Sequence, residues 1–225
     1  ERSLIKPSYT TQELFRWYGN PNNKEWVVYT DSSFKNIKKI ESYPNIKKHL
    51  DQFSKVITSD NKPYGLHRAR DERFFIGEKI IVARKCVEPA FSFVDFDSYV
   101  SATFYVIKTE RMSHKYLVAL LNSKLVAFWL RHKGKMQGNN FQIDKEPLIN
   151  LPLVTVPESN QKPFIEIVDK ILEITKSDDY LKNSQKQAQV KEYEHQIDQL
   201  VYQLYGLTDD EIKIVEGVGW GNELS

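Results

Sequence analysis

Two short stretches hold most of the side chains with chemistry to offer. The first, Pro63 to Lys85, reads PYGLHRARDERFFIGEKIIVARK. It sets His67, Arg68, Arg70 and Arg73 ahead of an apolar run, with Arg84 and Lys85 just past it. A guanidinium carries two parallel N–H donors that match guanine O6 and N7, and it also grips phosphate oxygens. Asp71, Glu72 and Glu78 are interleaved with these cations, so an ion-paired surface is the competing reading. The second stretch, Lys124 to Gln142, reads KLVAFWLRHKGKMQGNNFQ. Lys124, Arg131, Lys133 and Lys135 are cationic, and no acid occurs before Asp144. Gln137, Asn139, Asn140 and Gln142 follow, amides of the kind that pair in two places with adenine N6 and N7. Gly134 and Gly138 allow a backbone to approach a ligand closely. The competing reading is a plain polar loop after a helix end. Taken together the two stretches point to double-stranded DNA, with phosphate contacts setting register and base edges supplying sequence.

Other chemistry finds no foothold. Methyl transfer to an exocyclic amine uses a proline-paired polar tetrapeptide to hold the flipped base. No Pro-Pro pair occurs, and Gly19-Asn20-Pro21-Asn22 is the nearest approach. No Gly-x-Gly-x-x-Gly follows an apolar run, and Gly217-Val218-Gly219-Trp220-Gly221 follows a helical pattern instead. Glu211-Ile212-Lys213 has the acid-x-Lys spacing of metal nucleases but falls at a predicted helix start, where it reads as cap chemistry. The five histidines, His49, His67, His114, His132 and His195, are scattered without metal spacing. The single cysteine, Cys86, excludes an internal disulfide and suits a reducing compartment, so a cytoplasmic location is expected. No apolar run approaches membrane-spanning length, and no membrane partner is expected. Neither a catalytic residue nor a metal or cofactor site is expected within these residues.

The elements that must position these groups are legible in outline. Trp26-Val27-Val28-Tyr29 reads as a strand, and Ile46, Leu50 and Phe53 share one face of a short helix. From Phe74 to Lys108 the pattern is β, with runs at Phe74–Ile76, Lys79–Ala83, Ala90–Val94 and Thr103–Ile107. Ser113 opens a helical stretch carried by Leu117, Leu120, Leu121, Leu125, Phe128 and Trp129 and closed by Gly134. Pro152 and Pro157 flank a hinge, beyond which the chain turns helical. Pro163 is placed near a helix start, ahead of an apolar stripe from Phe164 to Ile174. Lys176 to Gln189 is polar and reads as a turn or an exposed helix end. Val190, Tyr193, Ile197, Leu200, Leu204 and Leu207 form a heptad seam, and Thr208-Asp209-Asp210-Glu211 fits a capping box. The expected fold class is α+β, a mixed α/β unit over 1–153 followed by an antiparallel helical hairpin over 154–225.

Charge follows the same division. Residues 1–153 hold 25 Lys and Arg against 16 Asp and Glu, while 154–225 hold 7 against 14. A basic body joined to an acidic tail implies two surfaces with different partners.

Several ordered motifs go further. HRARDERFFIGEKII, YLVALLNSKLVAFWLRHKGK and Ile149-Asn150-Leu151-Pro152-Leu153 closely resemble the TaqI-like C-terminal specificity domain. The opening Leu4-Ile5-Lys6-Pro7, with Phe15-Arg16-Trp17-Tyr18 and Trp26-Val27-Val28-Tyr29-Thr30, is similar to its entry segment, and Glu194 to Thr208 to its terminal helix. That domain follows the catalytic half of many N6-adenine methyltransferases and single-chain restriction–modification enzymes. The resemblance implies an α/β recognition domain related to the specificity subunits of type I restriction systems, followed by a helical spacer. It also implies an upstream domain of the same chain that binds S-adenosylmethionine and flips the adenine, with a nuclease domain as a further option. It assigns no individual base contact. The chain opens on Glu1-Arg2-Ser3 without an initiator Met, and excision from something longer is expected. Two rival readings stand beside it. One is an assembly module whose working part is the heptad seam Val190 to Leu207. The other is a self-sufficient enzyme with an unrecognised site.

Overall fold

The structure, a computed structural model, describes residues 1–57 and 59–217. In chain order they form β1 (Ile5–Tyr9), β2 (Trp17–Tyr18), β3 (Glu25–Val28), α1 (Ile37–Ile40), α2 (Pro44–Asp51), β4 (Lys79–Ala83), β5 (Lys85–Cys86), β6 (Phe91–Val94), β7 (Tyr99–Val100) and β8 (Phe104–Ile107). There follow α3 (His114–Leu121), α4 (Lys124–Lys133), β9 (Lys135–Gln137), β10 (Asn140–Gln142), α5 (Lys145–Ile149), α6 (Glu158–Thr175), α7 (Ser184–Tyr205) and α8 (Asp209–Val215). The α+β class expected from the sequence is the class observed.

The central sheet runs β2-β6-β4-β8, with β4 antiparallel to both neighbours and β2 parallel to β6. Side chains alternate across a strand, so its two faces feed two cores. Ile80, Val82, Phe91 and Phe93 face a large core built with α3, α4, α6 and α7. Ile81 and Val94 face the other way and meet Tyr9, Tyr29, Phe75, Tyr99, Val100 and Phe104. These come largely from a second sheet, β3-β1-β7, and its surroundings. Burial on both faces is why β4 reads KIIVA, unbroken by a polar side chain after Lys79. A satellite core of Phe34, Ile40 and Ile46 seats α1 and α2.

Several local expectations are corrected. Phe74–Ile76 is not a strand: Glu72–Phe74 forms a 3-10 turn capped by Asp71, which accepts from the Arg73 N–H. Only Phe75 of the three is buried, and Gly77 (φ 63) turns the chain into β4. The cap and the turn override aromatic β propensity. The helical stretch from Ser113 to Gly134 is two helices. The Asn122 side chain leaves the helix to exchange hydrogen bonds of 3.0 and 2.8 Å with the Phe91 backbone, and Ser123 caps α4. Leucine periodicity runs through the break and hides it. Pro163 lies in the second turn of α6, which opens five residues earlier, after Pro157. The polar segment 176–189 resolves into a 3-10 turn, Tyr180–Lys182, and the start of α7 capped by Asn183.

The heptad seam is filled from within the chain. Val190, Ile197 and Val201 are buried in the large core, with Tyr193, Leu200 and Leu204 packed on it. α7 meets α3, α4 and α6, and α6 in turn lies on α3 and β2. The segment 152–157 is therefore a change of element type without a break in packing. Tyr205 Oη donates to Pro152 O and Tyr116 Oη to Val154 O, each at 2.9 Å. The capping box on Thr208 and Glu211 opens α8, which settles Glu211 as a helix cap. Residues 218–221 of the glycine-rich terminal stretch lie outside the described residues.

Candidate nucleic-acid interface

α4 ends at Lys133, and the chain turns straight into β9. The Gly134 N–H still donates to Leu130 O, so the backbone folds tightly over the helix end, and a Cβ there would collide with that carbonyl. β9 and β10 make a hairpin around Gly138 (φ 59) and Asn139, whose φ is not positive, the pattern of a type II′ turn. What reads as an amide-rich loop is thus a β-ribbon. β5 joins its far edge, giving an antiparallel sheet β5-β10-β9.

Register decides which side chains share a face. Lys135 pairs with Gln142, Met136 with Phe141 and Gln137 with Asn140, while Gln142 and Phe141 sit opposite Lys85 and Cys86. Met136, Phe141 and Cys86 therefore line one face, which packs on the large core. Lys85, Lys135, Gln137, Asn140 and Gln142 line the other, which faces solvent. Arg131 and Lys133 flank this sheet from the last turn of α4. The Arg131 guanidinium lies 5.1 Å from the Phe141 ring centroid, and the Lys133 amine 6.0 Å from that of Trp129. Among the described residues, no carboxylate pairs with Lys85, Arg131 or Lys133.

The outer face carries its own relay. Gln137 Nε2 donates to Gln142 Oε1 at 2.7 Å, and Gln142 Nε2 donates to Asp144 Oδ1 at 3.1 Å. Lys135 Nζ stands 3.4 Å from Asp144 Oδ2. The hydrogen bond from Gln142, helped by Lys135 and Arg84, holds the Asp144 carboxyl below the usual carboxylate range. Sequence reasoning passed over Asp144; its signal was the two-residue step from Gln142.

The remaining predicted residues sit elsewhere. Lys124 occupies the opposite end of α4, about 13 Å away at about 1.5 Å of rise per residue, and pairs with Glu216 at 3.0 Å. Arg84 links β4 to β5 with its guanidinium 5.2 Å from the Tyr105 ring centroid, and its buried Nε has no acceptor among the described residues. Arg70 Nη2 donates to Ser101 O (3.2 Å) and Phe104 O (2.9 Å), tying down the start of β8. Burial pulls its pKa below the ordinary arginine value. Arg73 grips Asp71 through Nε and Nη2 at 2.9 and 2.6 Å, and His67 Nδ1 lies 3.4 Å from Asp60. The ion-paired reading thus describes Arg73, and a structural one describes Arg70. Arg68 is exposed, as is Asn139 in the hairpin turn.

Among the described residues no cluster of three or more metal-ligating side chains occurs, and no helix is long and apolar enough to cross a membrane. The sequence profile of the TaqI-like C-terminal specificity domain matches residues 21–153, a span that holds the ribbon, β5 and α4. The chain belongs to this family. Two curated relatives of the specificity domain are the Type II methyltransferases M.HincII and M.HindII of Haemophilus influenzae. Each is 29% identical over 92 residues, covering 40% of this chain and 18% of the relative. The fold is that of part of the Type IIL restriction–modification enzyme MmeI, solved in complex with DNA. That match has a TM-score of 0.67 at 15% identity and covers 92% of this chain and 28% of MmeI. The chain therefore spans less than a third of each of these proteins.

Proposed function

We propose that this specificity domain recognises a double-stranded DNA sequence for an S-adenosylmethionine-dependent, adenine-specific DNA methyltransferase or a fused restriction–modification enzyme, acting in the cytoplasm. Methyl transfer belongs to a domain outside these 225 residues. The residues present do not fit the cofactor, since no described strand runs through a glycine-rich turn into a helix N-terminus. The reading rests on the outer face of the β5-β10-β9 sheet. A two-stranded ribbon fits the major groove, and this one points amides and lysines outward while its apolar face is anchored on the core. The α6–α8 segment, with its acidic excess, serves as the spacer toward the catalytic domain. That leaves 1–153 as the recognition body and 154–225 as the spacer, two roles built on one core.

Binding to a random duplex pool tests the reading. Lys133→Ala is expected to weaken binding to all sequences alike, whereas Asn140→Ala is expected to relax preference at one position. A wild-type chain that selects no sequence removes the proposal. Wild-type-like binding by both variants removes the assigned surface.

A further inference from the structure

We infer that Gln137 is the adenine-reading side chain of the ribbon, and that Asp144 sets the direction of its amide through Gln142. This deepens the proposed DNA recognition and rests on it. An ionised carboxylate only accepts hydrogen bonds. Asp144 therefore obliges Gln142 to turn its NH2 group toward it, at 3.1 Å. The Gln142 carbonyl then faces Gln137 and can only accept, so Gln137 must also turn an N–H toward it, at 2.7 Å. The two glutamines are diagonal neighbours on one face of the ribbon, close enough for long side chains to meet. What remains on Gln137 is its carbonyl oxygen and its second N–H, on an exposed side chain. One acceptor beside one donor complements the N6–H and N7 of adenine in the major groove. Guanine presents two acceptors on that edge and would face the Gln137 carbonyl with O6.

The relay also explains a difference within the face. Asn140, opposite Gln137, has no side-chain hydrogen bond among the described residues and is left to adapt. Gln137 is held before DNA arrives, which lowers the ordering cost of a bidentate contact. Asp144 acts through Gln142 and is a positioning residue.

The experiment is sequence selection by the whole chain from a randomised duplex pool, followed by affinities for single-base variants of the selected site. Wild type is expected to fix adenine at one position. Gln137→Ala should lower the adenine preference at that position by between about fivefold and about 150-fold, the equivalent of losing one bidentate pair, and leave other positions alone. Gln137→Glu has no N–H to give the Gln142 carbonyl, so it should lose the adenine preference at that position as well. Asp144→Asn, which can present either end to Gln142, should blunt the adenine preference at the same position without changing affinity for unrelated sequence. A purely structural Asp144 would instead alter the melting temperature and leave base preference intact, and that result overturns the inference. So does a Gln137→Ala chain that keeps the wild-type preference at every position. A wild-type chain that selects no sequence sinks the proposed function itself.

Discussion

Lys124 and Lys133 stand on the same short helix and carry the same charge, yet only Lys124 has a carboxylate partner among the described residues, and under the proposed reading salt dependence should separate them. Lys124 pairs with Glu216, just past the end of α8, at 3.0 Å, at the end of α4 next to the acidic segment. Lys133, Arg131 and Lys85 have no carboxylate partner among the described residues and surround the ribbon. Each phosphate neutralised contributes about 0.9 to the slope of log K against log salt, so one contact is worth about 3.5-fold in affinity between about 50 and 200 mM. Three such contacts give a slope of about −2.7, or about 40-fold over the same range. Lys133→Ala should therefore reduce the slope by about 0.9, and the triple alanine variant of Lys85, Arg131 and Lys133 by nearly three times that. Lys124→Ala should leave the slope untouched and cost at most about 1 kcal/mol of stability, the range of a half-exposed ion pair. Fluorescence anisotropy with a labelled duplex at several salt concentrations reads both quantities. Equal slope losses for Lys124→Ala and Lys133→Ala would mean that DNA runs along the whole of α4, and the ribbon-centred surface would be wrong.

Three further outcomes are expected. Glu194 Oε1 accepts from Arg16 Nε and from the buried Trp17 Nε1, both at 2.6 Å. Glu194→Ala strands that indole N–H and should cost about 3 kcal/mol in urea denaturation, with Glu194→Gln costing less; a loss below about 0.5 kcal/mol would show that the contact does not hold α7 to β2. Gly134→Ala forces a Cβ onto the Leu130 carbonyl, so it should lower stability by about 1–3 kcal/mol and weaken DNA binding by displacing the ribbon, checked by melting and gel shift. Lys79 is buried with its amine donating to Gly77 O and Phe96 O at 2.6 Å, and burial pulls its pKa down to about 8 from 10.5. Between those values the unfolded chain keeps a proton that the folded chain has released, so stability should rise, by on the order of 2 kcal/mol from about pH 8 to 10. The rise should vanish in Lys79→Met. Above about pH 10 the buried tyrosines, Tyr18 and Tyr116 among them with values near 12, reverse the trend, because the unfolded chain ionises first.

The elements that sequence reading located best were those whose pattern depends on neighbours one or two turns away. β4, β6, β8, α2 and the capping box of α8 all declare themselves through periodicity or cap chemistry. Asn122 did not, because its reason for breaking a helix is the Phe91 backbone thirty-one residues earlier. Phe74 and Phe75 misled because aromatics favour strands wherever they can pack on a pleated surface, and here a 3-10 turn presents one ring to the core and leaves the other outside. At the site, residue type alone suggested Arg70 and Gln142 equally. Only the fold distinguishes a guanidinium spent on the Ser101 and Phe104 carbonyls from an amide that belongs to an outward relay. Charge counting could not make that distinction, since a cation satisfied by main-chain carbonyls and one exposed without a carboxylate partner look the same in a sequence.

α7 reaches the ribbon through α4. Asp198 of α7 is buried, and its Oδ1 accepts from the Lys124 backbone N–H at 2.8 Å, alongside the Ser123 cap on the same helix end. Burial raises its pKa, while the hydrogen bond and the helix N-terminus favour the charged form. The other end of α4 launches β9 through Gly134 with no intervening loop. A helix pinned at one end by α7 and continuous at the other with the ribbon ties the position of one to the other. Asp198→Ala should therefore cost about 1–2 kcal/mol of stability, as loss of a helix cap does, and it should also lower duplex affinity, although Asp198 lies at the far end of α4 from the ribbon. Affinity measured well below the melting temperature keeps the two effects apart. A variant that melts earlier but binds like the parent would mean that the body places the ribbon unaided and that α7 contributes stability alone.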